Sequence, residues 1–536
     1  MFNAEQYTYP SMRYSTYAGR GMVSTSQPLA AQAGLDMLKR GGNAIDAAVA
    51  AAACLTVVEP NNNGIGSDTF ALVWSGGRLH GLNASGPAPA AISMEKLAER
   101  GFKEMPAQGV IPVTVPGAPG AWAELSRRFG RLALTEVMAP AAAYAEEGFN
   151  VATLAAEAWR FHVDIYAASK VPEVRTWFAA FADDNGKAPR AGERFRLPHH
   201  AETLRRIAES GAAEFYEGMY AEKIDRFMRE HGGYLRKSDL EAFRPEWVEP
   251  ISVNYRGYDV WEIPPNGQGL VALMALNILK GFEFESPYSA DTLHKQFEAM
   301  KLAYADGKAY ITDSRMMKVK VEDLLSDAYA DERRRLIGRT ALKPFVGKPS
   351  KGGTVYVCTA DDEGNMVSLI QSNYMGFGSG VVIPGTGISL QNRGHNFSLD
   401  PKHDNCLMPG KRTFHTIIPS FLTKGGEAIG PFGMVGGFMQ PQGHVQTVMN
   451  TVDFAMNPQQ ALDAPRWQWM EELSFQMEGS LPEEVSGDLT GRGHQLTTGC
   501  RPSGLFGRGN IIWRLPNGGG FAGASDFRSD GTVACR

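Results

Sequence analysis

The sequence predicts a layered α/β fold packed around two sheets. Helical patterns gather in the first two thirds, strand patterns lie near both ends, and no internal repeat or low-complexity block interrupts either. A sheet hides one face and a helix one stripe, so elements distributed this way settle into stacked layers. Of 536 residues, 43% are hydrophobic and 21% charged, the composition of a globular protein with ample core. Length alone allows roughly two to four domains at ~100–200 residues each.

Near the N-terminal side, "SQPLAAQAGLDMLKRGGNAIDAAVAAAACLTVVEP" predicts two helices. Pro28 suits a first turn, Gly41-Gly42 stops the first helix, and Asn43 to Asp46 start the second. The alanines of the second helix imply close packing. "NNNGIGSDTFALVWSGGRLHGLNASGPAPAAI" follows as a Gly-rich turn, a strand, an "SGG" hairpin turn and a second strand. Residues 93–243 are mainly helical in pattern, with loops at Gly117 to Gly120 and Asp183 to Gly192. "ISVNYRGYDVWEIPPNGQG" predicts two short strands and a rigid turn, "LVALMALNILKGF" a buried helix, and Glu298 to Asp313 more helix. Ala341 to Gly353, rich in Lys, Pro and Gly, reads as a linker. Thr354 to Ala360, the turn "DDEGN" and Met366 to Ser372 alternate as a hairpin, and the tail returns to Gly-rich strands that include "GPFGMVGGFMQPQGH".

Composition excludes several classes. A formal net charge of −5 with no long basic tract argues against nucleic acid or an anionic membrane as the partner. Five scattered cysteines without a C-x-x-C indicate neither a disulfide framework nor a zinc ribbon, and point to a reducing cytoplasm. No secretory pattern opens the sequence, and the most apolar run, Ala47 to Val58, is far below the ~18–20 residues that span a bilayer. "GFGSGV" misses the nucleophile elbow by one place. "GKPSKGGT" sets Pro where a phosphate loop needs a hydroxyl residue. There is no H-E-x-x-H, and "DDEGN" lacks the alternating ligands of a calcium loop. The expectation is therefore no metal and no organic cofactor.

Gly353-Thr354 remains. A Thr hydroxyl is a poor nucleophile unless a base stands beside it, and an α-amine on the same residue, of pKa about 7.7–8, can be that base. An internal Thr has no such amine, so the chemistry requires the Gly353–Thr354 bond to be cut first. Gly353 gives the scissile peptide freedom to bend toward the hydroxyl. By spacing alone Thr354 also reads as an ordinary β-branched strand start.

Seven ordered segments favour the chemical reading: "GGNAIDAAVAAAACLTVVEP", "GIG" at Gly64 to Gly66, "EAMKLAYADGKAYITD", "GGT" at Gly352 to Thr354, "FGSGVVIPGTGISLQN", "PGKRTFHTIIPS" and "GMVGGFMQ". Over nearly its whole length the chain resembles the γ-glutamyltransferase family of N-terminal-nucleophile hydrolases. The resemblance implies an αββα sandwich, two stacked sheets flanked by helices, in a precursor that cuts itself before Thr354. Residues 1–353 and 354–536 would stay together as a large and a small subunit of one globular unit, with any further dimerisation left open. It also implies Thr354 as nucleophile and amine base, Ser372 as the hydroxyl that orients it, and Gly436 and Gly437 as oxyanion donors.

Departures from the family pattern bear on the substrate. Where γ-glutamyl enzymes carry an Arg for the substrate carboxylate, this chain has Ser85; where they carry "NNQ-x-DDF" it has "QNRGHNF", with Arg393 at the Gln and Asn396 at the second Asp. His415 and Thr416 replace a serine pair, and Tyr374 replaces an Asn. The pattern is similar to the oxamate amidohydrolase branch. It implies a small amide whose carboxylate meets an Arg393 fork, in a pocket narrowed by Tyr374 and His415 that has lost the carboxylate for an ammonium. Two alternatives stay open: a γ-glutamyltransferase or glutathione hydrolase with other residues doing the reading, and an unprocessed, non-catalytic binding relative.

Overall fold

A computed structural model describes residues 12–343 and 353–536, and at its centre two seven-stranded antiparallel sheets stack face to face. Their strands are β1 (Thr16–Ala18), β2 (Gly21–Thr25), β3 (Asp68–Ser75), β4 (Arg78–Ala84), β5 (Glu246–Val248), β6 (Ile251–Tyr255), β7 (Tyr258–Glu262), β8 (Gly353–Asp361), β9 (Met366–Tyr374), β10 (Ser420–Lys424), β11 (Glu427–Val435), β12 (Arg508–Arg514), β13 (Phe521–Ser525) and β14 (Thr532–Cys535). One sheet runs β14-β2-β8-β9-β3-β4-β5 in space, the other β1-β13-β12-β11-β10-β7-β6.

Period-two alternation sorts each strand between two cores. On β8, β9 and β3 the even-numbered residues Tyr356, Cys358, Met366, Ile370, Phe70 and Leu72 face the other sheet's Phe421, Val435 and Ile512, with Ile417 from the segment before β10. The odd-numbered Val355, Val357, Val367, Leu369, Ala71 and Val73 turn outward. There they meet helices α1 (Pro28–Lys39) and α2 (Ala44–Val58). Every residue of α2 is buried, and Asn43 with Asp46 forms a capping box at its start, which satisfies N–H donors that would otherwise be orphaned. The second sheet's outer face is covered by α3 (Gly269–Leu279), α4 (Ala290–Tyr310) and α5 (Met439–Val452). Helices therefore flank the stacked sheets on both sides.

Three local expectations need correction. Gly117 to Gly120, expected as a loop, holds the start of a helix over Ala118–Phe129, with Pro119 in its first turn. The helix expected over Glu298 to Asp313 begins earlier and ends sooner, as α4. The Gly-rich "GPFGMVGGFMQPQGH" is strand only to Val435 and then turns into the buried helix α5. Most of the expected linker, residues 344–352, lies outside the described residues.

Candidate active site

Thr354 is the first inward-facing position of β8, and the ladder is irregular there. The pairing with β9 shifts register between Gly353 and Val355, and such bulges re-aim a side chain. Thr354 is 1% exposed, and its Oγ1 donates to Ser372 Oγ at 3.1 Å. Ser372 Oγ also accepts the Tyr374 N–H at 2.8 Å. Tyr374 ends β9 with a φ of +76°, a conformation rare for a bulky residue that marks sites held by their surroundings.

Directly across the ladder from Ser372 lies Asp68, the first residue of β3. Paired residues share a face, with Cβ atoms about 4.5–5.5 Å apart. Asp68 Oδ2 accepts from Arg393 Nε at 3.2 Å and from His415 Nε2 at 2.9 Å. Arg393 Nη1 donates to Thr416 Oγ1 at 2.8 Å, and its guanidinium carbon lies 4.6 Å from the centre of the Tyr374 ring. Two buried atoms of this group have no partner among the described residues: Asp68 Oδ1 and Arg393 Nη2. The Gly-rich turn before β3 holds Asp68 there. Ser67 Oγ bonds Asn373 Oδ1 at 2.8 Å, and Gly66 bridges Leu390.

Burial pushes the His415 imidazole down to about 4, and the neighbouring Arg393 adds to that, so the ring is neutral near pH 7. The Ile417 N–H approaches its Nδ1 at 3.4 Å, which leaves Nε2 carrying the proton given to Asp68. Burial also works against the Arg393 charge, opposed by Asp68 and Tyr374. The inter-sheet core is thus largely apolar, with a polar group at the end where Thr354, Ser372, Asp68, Arg393 and His415 meet. Phe70, with its ring 4.7 Å from His415, marks the boundary.

Gly436 and Gly437 come after the last β11–β12 pair, Val435 with Arg508. Their φ angles are +132° and +60°, which only glycine adopts without strain. Gln268 Nε2 donates to both Gly437 O, at 2.8 Å, and Thr416 O. That amide ties the glycine turn to the Arg393 group.

A family model for gamma-glutamyltranspeptidase matches residues 30–535. The chain belongs to the gamma-glutamyltranspeptidase family. Within it, the chain is 36% identical over 530 residues to the glutathione hydrolase-like YwrD proenzyme of Bacillus subtilis, covering 97% of this chain and 99% of that one. It is 35% identical over 542 residues to the oxamate amidohydrolase proenzyme of Klebsiella pneumoniae, covering 98% and 100%. Among solved structures, cephalosporin acylase from Bacillus halodurans superposes with a TM-score of 0.95 at 59% identity, over 100% of this chain and 99% of that one. With these relatives and the observed stacking, the N-terminal-nucleophile fold is established, and the protein is an enzyme of amide C–N bonds.

Not every site residue expected from the family pattern joins this group. Ser85 Oγ donates to Asn83 Oδ1 at 2.7 Å and is held by Asn266, in a neighbouring amide cluster. Asn396 donates to the Phe414 carbonyl at 3.1 Å, which pins the Arg393 turn to the His415 segment. The Arg393 fork is half spent on Asp68 and Thr416. Nor has the site lost its carboxylate, because Asp68 supplies one from a different part of the chain. The one signal for Asp68 in the sequence is an acidic residue at the head of the apolar strand "DTFALVW".

Elsewhere, His294, Glu298 and His494 bring potential metal-ligand atoms within 4.8 Å of one another. The Lys301 ammonium already lies 2.6 Å from Glu298 Oε1, and the two rings share a hydrogen bond of 2.8 Å. The Lys301 ammonium thus already neutralises the carboxylate of this group.

Proposed function

We propose that this protein is a self-processing amidohydrolase whose nucleophile is Thr354. The observation that carries the reading is the Thr354 hydroxyl bonded to Ser372 at a ladder irregularity, with Gly353 immediately before it. In the uncut chain, Thr354 Oγ attacks the Gly353 carbonyl carbon, the C–N bond breaks, and water hydrolyses the resulting ester. Residues 1–353 and 354–536 become two associated subunits, and the Thr354 nitrogen becomes a free amine. The names of relatives described as proenzymes agree with such a step.

In turnover, the amine takes the Oγ proton as Oγ attacks the substrate amide carbon, then gives it to the departing nitrogen. Gly436 and Gly437 donate their N–H groups to the oxyanion, where losing one donor typically costs ~10²–10³ in rate. Water then cleaves the acyl-enzyme. Arg393 Nη2 receives the substrate carboxylate, with His415 and Tyr374 limiting the space around it. Our best substrate is oxamate, hydrolysed to oxalate and ammonia. The five cysteines are free thiols, which suits a cytoplasmic setting. None of the described helices is long and apolar enough to cross a membrane.

A second reading, a longer acyl amide, is favoured by the similarity to the cephalosporin acylase structure. Ammonia release from oxamate, set beside cleavage of a γ-glutamyl anilide and of an acylated β-lactam amine, separates these readings. Oxamate turnover alone supports ours, and turnover of either other substrate without oxamate contradicts it. Thr354→Ala should abolish both chain cleavage and turnover.

A further inference from the structure

We infer that Asp68 reads the nitrogen side of the substrate: its free oxygen accepts an N–H of the amide being hydrolysed, so the site selects short carboxylates bearing a primary amide. This rests on the proposed function above and narrows its substrate class. Asp68 is 0% exposed and Arg393 1%. Nε and Nη1 of Arg393 are engaged, as is Oδ2 of Asp68, which leaves one donor, Nη2, and one acceptor, Oδ1. Buried polar atoms without partners are rare and ask for an explanation. These two have opposite polarity and sit on side chains already bonded to each other. A ligand that satisfies both offers an acceptor and a donor a few atoms apart, as a carboxylate next to a CONH2 group does.

Position along the ladder selects the amide nitrogen over a remote head group. Asp68 is the direct cross-strand partner of Ser372, and Ser372 holds the Thr354 hydroxyl. Its carboxylate is therefore one side chain from the attacking oxygen, the reach of the reacting amide itself. An N–H pointed at Oδ1 turns the carbonyl carbon toward Thr354 while Nη2 holds the carboxylate. The product carboxylate has no N–H to offer and sets a negative oxygen against Asp68. Substrate is favoured over product by the same atom.

The experiment uses the processed enzyme and three small ligands: oxamate, its N,N-dimethyl derivative and oxalate. In the wild type, kcat/KM for oxamate should exceed that for the dimethyl amide by roughly tenfold to a hundredfold, the range for a hydrogen bond to a charged group. Oxalate should inhibit with a constant at least about tenfold above the oxamate KM. Asp68→Asn should raise the oxamate KM while lowering the oxalate inhibition constant. A purely structural role moves both in the same direction, and that result would overturn the assignment. Should Asp68→Asn fail to fold, the wild-type comparison decides alone: equal use of the two amides, or oxalate binding as tightly as oxamate, overturns it. No turnover of oxamate by protein cut at 353–354 removes the substrate reading and this assignment together. Turnover that ignores the N–H removes only the assignment.

Discussion

Two buried charge clusters in this chain are built to opposite specifications. In the first, Arg528 uses all three guanidinium nitrogens, on Glu478, on Asp526 and on the carbonyls of Leu462 and Ala464. Arg466 joins Asp526 at 2.5 Å and donates to Phe506 O and Gly507 O. Burial alone would raise the Asp526 carboxyl, but Arg466 and Arg528 hold it below its ordinary value. In the second, Arg393, Asp68 and His415 are equally buried, yet a donor and an acceptor stay open. A satisfied network fixes a fold, whereas the open donor and acceptor beside Thr354 are the pair we assign to the substrate.

One substitution made in both clusters tests this difference. Arg528→Lys loses the fork and leaves several buried acceptors unmet, so it should cost about 3 kcal/mol or more of stability, read as a lower urea midpoint. Arg393→Lys keeps a charge beside Asp68 and should stay within about 1 kcal/mol of wild type in the same assay. Without Nη2, however, its kcat/KM should fall roughly tenfold to a hundredfold. Equal destabilisation by both changes would erase the distinction. Ser372→Ala, which removes one neutral hydrogen bond from Thr354, should slow chain cleavage about fivefold, a net loss near ~1 kcal/mol, as followed by gel densitometry.

A further effect is graded by pH. Burial pushes His415 down to about 4, and burial with the neighbouring Lys301 pushes His494 down to about 3. In the unfolded chain a histidine titrates near ~6.5, so below that pH the unfolded state binds more protons. The stability these groups contribute is therefore complete above about pH 6.5 and is lost progressively as pH falls toward 4 and then 3. Urea midpoints that stay flat between pH 6.5 and 4 would contradict the burial of His415.

Local signals carried much of this architecture. The β8–β9 hairpin was legible from alternation around "DDEGN", whereas Thr354 reads by spacing alone as an ordinary strand start and is singled out only by the family resemblance. Helix α5 was not, because "MQPQGHVQTV" contains Pro441 and Gly443 and has weak helical propensity. Packing overrides propensity there: a Cβ on Gly443 would collide with Met434 Sδ. Asp68 was hidden for another reason. Its partners Arg393 and His415 lie 325 and 347 residues away in the chain, and only the folded chain brings them together. A motif can name Arg393, but only the fold shows how much of it remains available.

The central claim is that Thr354 is a latent N-terminus, and intact-mass analysis of the purified 58.3 kDa chain tests it most directly. The account predicts two masses that sum to the full chain plus one water, the smaller species beginning at Thr354, and a single uncut mass for Thr354→Ala. A wild-type chain that stays whole while releasing ammonia from an amide would contradict it.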